Sequence, residues 1–239
     1  MQMRNLFNTI VTITCIILIA SISYIFFCTC VLYKRTKLYK KYLCKNSEFC
    51  LMSKFNLIIP DTILYSCFKL YSGNIGTYKS IKFKSSKYIS TSQILKHSPN
   101  IINYYQSLTP FFNQITNLNL HITPLDNNLS CGLLIYEKKG DFIDWHYDVN
   151  TYNGRFFTVL LPIYNNSNCC TFQYKYDETV YTAEFNIEQG IIFEGEHLYH
   201  RCTTLCDNEL RIVLSLTYCT DVSTNFFKQT LNSLKNLGF

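Results

Sequence analysis

Charge is scarce in this chain. Only 16% of its 239 residues are Asp, Glu, Lys or Arg, against 48% hydrophobic, which excludes a disordered, charge-solvated polypeptide. Its twelve cysteines include no Cys-x-x-Cys pair, so a zinc ribbon or thioredoxin-like motif is unsupported. Internal repeats, low-complexity tracts and base-reading modules are also lacking, which removes solenoids and the common nucleic-acid binders. What remains suffices for one well-buried domain with an appendage.

The formal charge of +6 is unevenly spread. Residues 1–50 hold seven cations and one acid, residues 51–125 seven and one, and residues 126–239 eight and fourteen, giving balances of +6, +6 and −6. The positive charge therefore sits at and after the apolar N-terminus, where anionic lipid headgroups are a simpler partner than a phosphate backbone. No nucleic-acid partner is expected.

Residues 10–32 contain no charge. At 1.5 Å per residue these 23 residues span about 34 Å as a helix, enough for a hydrocarbon core of about 30 Å. A cleaved signal peptide would have a shorter apolar run ending in small residues, so the segment is read as a single-pass transmembrane helix. Lys34, Arg35, Lys37, Lys40 and Lys41 follow it, and the positive-inside rule then places the rest of the chain on the cytoplasmic side. A lumenal orientation is the alternative, in which the sequons at Asn128 and Asn165 and some of the cysteines would matter. Cys169 and Cys170 are adjacent, and Cys202 and Cys206 share a loop-like stretch.

Residues 1–45 are thus expected to be an anchor with a basic flank, and residues 46–125 a mixed helix and strand support. Within that support, 46–90 reads as short strands and loops, and 91–119 as one or two helices carrying Ile94, Ile101, Ile102, Tyr105 and Leu108 at helical spacing. From Leu129 onward, β-branched and aromatic runs at 131–136, 156–161, 171–176, 182–187, 190–194 and 210–218 alternate with turn residues such as Asn153-Gly154 and Asp207-Asn208. Short strands without long helices between them predict a double-sheet jelly roll over 126–239, closed by an amphipathic helix at 223–237. The expected class is mainly β with flanking helices.

The chemistry centres on Asp144-Trp145-His146-Tyr147-Asp148. Alternate strand residues point the same way, so His146 and Asp148 aim an imidazole and a carboxylate at one point. His200 follows 54 residues later and Arg211 eleven after that. Two histidines and a carboxylate make the facial triad of non-haem Fe(II) oxygenases, with coordination positions left open. His197 is a competing second histidine, Glu194 and Glu196 are read as a solvated loop, and Trp145 and Tyr147 as sheet packing or pocket wall.

Over Leu129 to Asp221 this ordered set resembles the 2-oxoglutarate- and Fe(II)-dependent oxygenase superfamily, in particular its prolyl-hydroxylase-like branch. The resemblance implies a double-stranded β-helix with iron on His146, Asp148 and His200. It implies that Arg211 pairs with the far carboxylate of 2-oxoglutarate, that Tyr136 hydrogen-bonds the same group, and that Thr158 faces the pocket. It further implies O2 as co-substrate, ascorbate as an accessory reductant, and hydroxylation of a protein side chain with release of succinate and CO2. Pro162 departs from the family pattern in its strand. Alternatives are an oxygenase of a lipid or small molecule, a catalytically silent interaction module, and a cupin-like metal isomerase or zinc hydrolase.

Overall fold

The computed structural model describes residues 10–24, 52–176, 179–183, 186–225 and 228–229. The chain divides into two units, Met1–Asn46 and Ser47–Phe239. In the first, residues 10–24 are helical (α1) with exposed side chains. Fifteen residues rise only about 22 Å, and among the described residues no helix is long and apolar enough to cross a membrane. The transmembrane helix expected over 10–32 is therefore not shown. Its last eight residues, and the basic flank after them, lie outside the described residues.

The second unit is mainly antiparallel sheet. Its strands are β1 (Met52–Asn56), β2 (Thr77–Ile81), β3 (Lys84–Ile89), β4 (His121–Ile122), β5 (Cys131–Tyr136) and β6 (Phe142–His146), followed by β7 (Phe156–Asn165), β8 (Phe172–Tyr176), β9 (Thr179–Ala183), β10 (Gln189–Phe193), β11 (Tyr199–Cys202) and β12 (Arg211–Cys219). They run in the order β1-β10-β7-β12-β5-β3-β6-β11-β8-β9, with β2 beside β3 and β4 beside β12. β3 bends from β5 to β6, pairing Lys87–Ile89 with the former and Lys84–Ser85 with the latter. The result is a curled sheet consistent with a jelly roll.

Pro162 lies within β7, where the register against β12 shifts between Ile212 and Val213. An irregularity is what a residue without an N–H imposes on a ladder. The strand expected at 182–187 is displaced: β9 is Thr179–Ala183, and Gln189 turns back on Asn186.

Among the described residues, the helices that pack with the sheet are α2 (Asp61–Ser72), α3 (Thr91–His97), α4 (Pro99–Ser107) and α5 (Thr109–Thr116). β1, β2 and β3 match the reading of 46–90 as short strands and loops, and α2 corrects it over Asp61–Ser72. Pro60 and Asp61 begin this helix, Gly73 ends it, and Ile63, Cys67 and Leu70 are its buried face, a spacing of three to four residues that only a helix gives. α3 starts with a reciprocal capping box between Ser90 and Gln93. Against these helices β12 places Tyr218, whose ring meets Tyr105 and Phe112 at 5.1 Å. Both strand and helix residues thus share one core. Of the closing helix expected over 223–237, residues 223–225 are not helical, Lys228 and Gln229 are, with Asn225 receiving both of their backbone N–H groups; the other positions lie outside the described residues.

Candidate metal centre and its buried arginine

His146 ends β6, and His200 lies directly opposite it on β11. Their rings come within 4.2 Å of each other, centroid to centroid. Asp148 sits just past β6, where its backbone N–H donates to Gly195 at 2.9 Å. Its Oδ1 is 3.7 Å from Nε2 of both His146 and His200. The three ligand atoms lie within 4.8 Å of one another. His200 is buried, whereas the side chains of His146 and Asp148 are 37% and 23% exposed, so the cluster opens on one side.

Each atom in the cluster is oriented. Nδ1–H of His146 donates to the Asp144 carbonyl, and that of His200 to the Leu198 carbonyl, both at 2.7 Å. This fixes the tautomer that leaves Nε2 bare toward Asp148. Thr158 Oγ1 donates to Asp148 Oδ2 at 2.6 Å, engaging the outer oxygen and leaving Oδ1 toward the imidazoles. Phe172 stacks on His200 and Phe193 meets it edge-on, at 5.5 and 4.8 Å. Burial drives the His200 pKa down to about 4, with His146 adding to the fall while Asp148 and the Leu198 carbonyl oppose it. The ring is then neutral at physiological pH, as a metal ligand must be.

The donor set fits a ferrous ion. Two neutral imidazoles and one carboxylate converge from one side, in the composition that suits non-haem Fe(II) with open positions. His197 lies outside this cluster; its Nε2 is 4.0 Å from Glu196. Glu194 is not in a solvated loop but fully buried, where it accepts from Arg155 Nε at 2.7 Å. Glu196 accepts from the Asn150 amide at 2.8 Å. Trp145 and Tyr147 pack on Tyr199, at 5.3 and 4.9 Å.

Arg211 and Tyr136 are cross-strand partners on β12 and β5, both buried, with the guanidinium 5.8 Å from the phenol ring. Arg211 Nη1 donates to the Cys170 carbonyl at 3.0 Å and to Cys202 Sγ at 2.8 Å. Burial pushes the Tyr136 phenol up, with Cys202 and Cys170 adding to that. For Arg211 burial acts downward, yet the adjacent Cys202 and Cys170 outweigh it and hold the guanidinium charged. A buried, permanently charged fork of donors fits one end of a dicarboxylate.

Sequence reasoning missed three residues here. A Cβ on Gly195 would lie 1.9 Å from Asp148 Oδ2 and 2.5 Å from its Cγ, so only glycine lets the loop pass so close. The glycine between two glutamates was a legible sign of close backbone approach. Gly195→Ala is expected to lower metal affinity by about 10- to 100-fold, as displacing a ligand's support does, measured by competition with a chelator. Lys84 on β3 is the second: burial lowers its pKa to about 8, with Lys79 adding to the fall and Asp148 opposing it. The third is Cys202, two residues after His200, for which no motif gave a signal.

No protein-family model matches the chain, and no curated protein matches it in sequence. Its fold, in contrast, matches many solved structures. A Pseudomonas putida prolyl-4-hydroxylase aligns with a TM-score of 0.52 at 14% identity, covering 71% of this chain and 92% of that one. A Trichoplax adhaerens prolyl hydroxylase, solved with a hypoxia-inducible-factor peptide fragment, gives 0.54 at 16% identity over 85% and 96%. A non-haem α-ketoglutarate-dependent epimerase from nogalamycin biosynthesis gives 0.57 at 9% identity over 80% and 83%. The fold is that of the 2-oxoglutarate- and Fe(II)-dependent oxygenases, as the resemblance implied. Prolyl hydroxylases stand among its neighbours.

Proposed function

We propose that the chain is an Fe(II)- and 2-oxoglutarate-dependent hydroxylase acting on a protein side chain, with proline the leading candidate. The observation that carries the reading is the convergence of His146, Asp148 and His200 in a fold that also buries Arg211 beside Tyr136. When bound, Fe(II) with 2-oxoglutarate and O2 supplies the oxidation that turns a C–H bond into C–OH, releasing succinate and CO2.

The chain's own residues do the positioning. His146 and His200 offer Nε2 lone pairs because their Nδ1 protons are committed to backbone carbonyls. Thr158 holds the carboxylate of Asp148 in one rotamer. Phe172 and Phe193 keep water from the His200 side, which strengthens electrostatic contacts there. Arg211 and Tyr136 would receive the far carboxylate of 2-oxoglutarate and so set its orientation. The presence of Asp148, rather than a small residue, at the carboxylate position favours hydroxylation over halogen transfer.

A protein substrate is favoured because three neighbours of the fold are prolyl hydroxylases, one of them bound to a peptide. A small-molecule substrate is the second reading, favoured by neighbours from nogalamycin biosynthesis. The test is direct: the full chain, loaded anaerobically with Fe(II) and then given O2, is expected to convert 2-oxoglutarate to succinate. Proline-containing peptides are expected to raise that rate and to gain 16 mass units, the mass of one oxygen atom. No succinate, and no 2-oxoglutarate binding by calorimetry, would leave a catalytically silent relative.

A further inference from the structure

The two faces of β3 are not alike. Lys84 is level with Ile143 on β6, and Tyr88 with Leu134 on β5. Ile143 and Leu134 pack with Tyr136 and Cys202 in one cluster, and residues directly paired across a ladder share a face. Lys84 and Tyr88 therefore look into the barrel. So does Ser86 between them, because side chains alternate along a strand. Continuing the register of Lys87 with Ile135 brings Ser86 level with Tyr136, which is itself paired with Arg211.

The outward residues of β3 are engaged. Ser85 Oγ donates to Asp141 Oδ1 at 2.9 Å, and Lys87 Nζ to Asn74 Oδ1 at 3.0 Å. Inward, the Tyr88 hydroxyl donates to the Asn128 carbonyl at 3.0 Å, but its two companions differ. Ser86 is fully buried, and its hydroxyl has no hydrogen-bond partner among the described residues. The Lys84 ammonium makes no hydrogen bond or ion pair among them either, and lies 5.5 Å from the centre of the Tyr88 ring. A buried hydroxyl without a partner is costly, and so is a cation withdrawn from water. A hydroxyl donor and a cation left over on one inner face suit a carboxylated ligand. Asp148 is the acid that acts on the Lys84 charge, so Lys84 belongs to the metal end of the pocket, whereas Ser86 belongs to the row of Tyr136 and Arg211. Two residues along a strand separate their Cα atoms by about 7 Å, room for a short dicarboxylate lying lengthwise.

We propose that the inner face of β3 is a wall of the co-substrate pocket, on which Ser86 joins Tyr136 and Arg211 at the far carboxylate of 2-oxoglutarate and Lys84 takes the carboxylate at the metal end. The assignment rests on the oxygenase reading given above. It gives each end of the co-substrate its own cation, Arg211 at one and Lys84 at the other.

The experiment uses the full chain with Mn(II) in place of Fe(II), so that binding is read by calorimetry without turnover. Two ligands are titrated: 2-oxoglutarate, and 2-oxopentanoate, in which a methyl group replaces the far carboxylate. Lys84→Met is expected to weaken both by about tenfold or more, the scale of a hydrogen bond to a charged group, with Mn(II) affinity unchanged. Lys84→Arg, which keeps the charge, is expected to restore both. Ser86→Ala is expected to weaken 2-oxoglutarate by about tenfold and to leave 2-oxopentanoate at parental affinity. It deletes an unpaired oxygen, so it should fold whatever Lys84→Met does, and thermal unfolding without ligand should show no loss of stability. Parental 2-oxoglutarate affinity in either Lys84→Met or Ser86→Ala overturns this inference and leaves the oxygenase reading intact. A Lys84→Met variant weakened for 2-oxoglutarate but not for 2-oxopentanoate also overturns it, because the ammonium would then serve the far end. A parent chain that binds neither keto acid overturns both readings.

Discussion

His146→Ala is expected to abolish Fe(II) binding at micromolar metal and to lower succinate formation by at least about a thousandfold, the scale on which removing a group that acts in concert with others is felt. The reason lies in the geometry. Asp148 Oδ1 stands 3.7 Å from each imidazole nitrogen, so deleting one histidine leaves a two-ligand site. Because the His146 side chain is 37% exposed and ends its strand, the fold should survive, and thermal unfolding of the metal-free variant should match the parent. The checks are Fe(II) binding by anaerobic competition with a chelator, and circular dichroism. A variant that binds iron with parental affinity would remove His146 from the ligand set.

Arg211→Ala is expected to leave Fe(II) binding within about twofold and to weaken 2-oxoglutarate by about a hundredfold or more. Losing one member of a buried, hydrogen-bonded charge pair costs about 2–5 kcal/mol in binding, and a factor of ten corresponds to about 1.4 kcal/mol. The residue is buried and holds the Cys170 carbonyl, so some of the change will appear as lost stability. Arg211→Lys separates the two effects. A lysine keeps the charge but not the planar fork, and is expected to recover stability while restoring only part of the 2-oxoglutarate affinity. Calorimetry on both variants, with Mn(II) bound, reads this difference. If alanine and parent bind 2-oxoglutarate alike, the dicarboxylate is held elsewhere.

Where apolar residues run almost without a break, the sheet could be read from the sequence. Cys131–Tyr136 and Arg211–Cys219 are nearly unbroken apolar runs buried on both faces, and both were anticipated to within a residue. α2 was not, because Asp61–Ser72 mixes isoleucine, tyrosine and phenylalanine in a way that also suits short strands. The deciding signals were at its ends, Pro60-Asp61 and Gly73, where proline and glycine mark helix boundaries. β11 escaped notice as a strand because Tyr199–Cys202 is four residues long and half polar. The structure nonetheless brings His146 and His200 together, since a ligand type at a spacing can be read without the strand that bears it. Glu194 was misjudged for the opposite reason. Its partner Arg155 is 39 residues away, and no local pattern announces a buried ion pair of that separation.

The direct opposition of His146 and His200 across two strands makes the centre a sensor of ladder alignment. Sliding β11 by a single residue against β6 would turn its imidazole to the outer surface. Tyr199 or Arg201 would then face Asp148 instead. A chain that misaligned these two strands while folding would keep its sheet and most of its core, yet be unable to gather a cation. An ion held between them would in turn favour the one alignment that presents both rings.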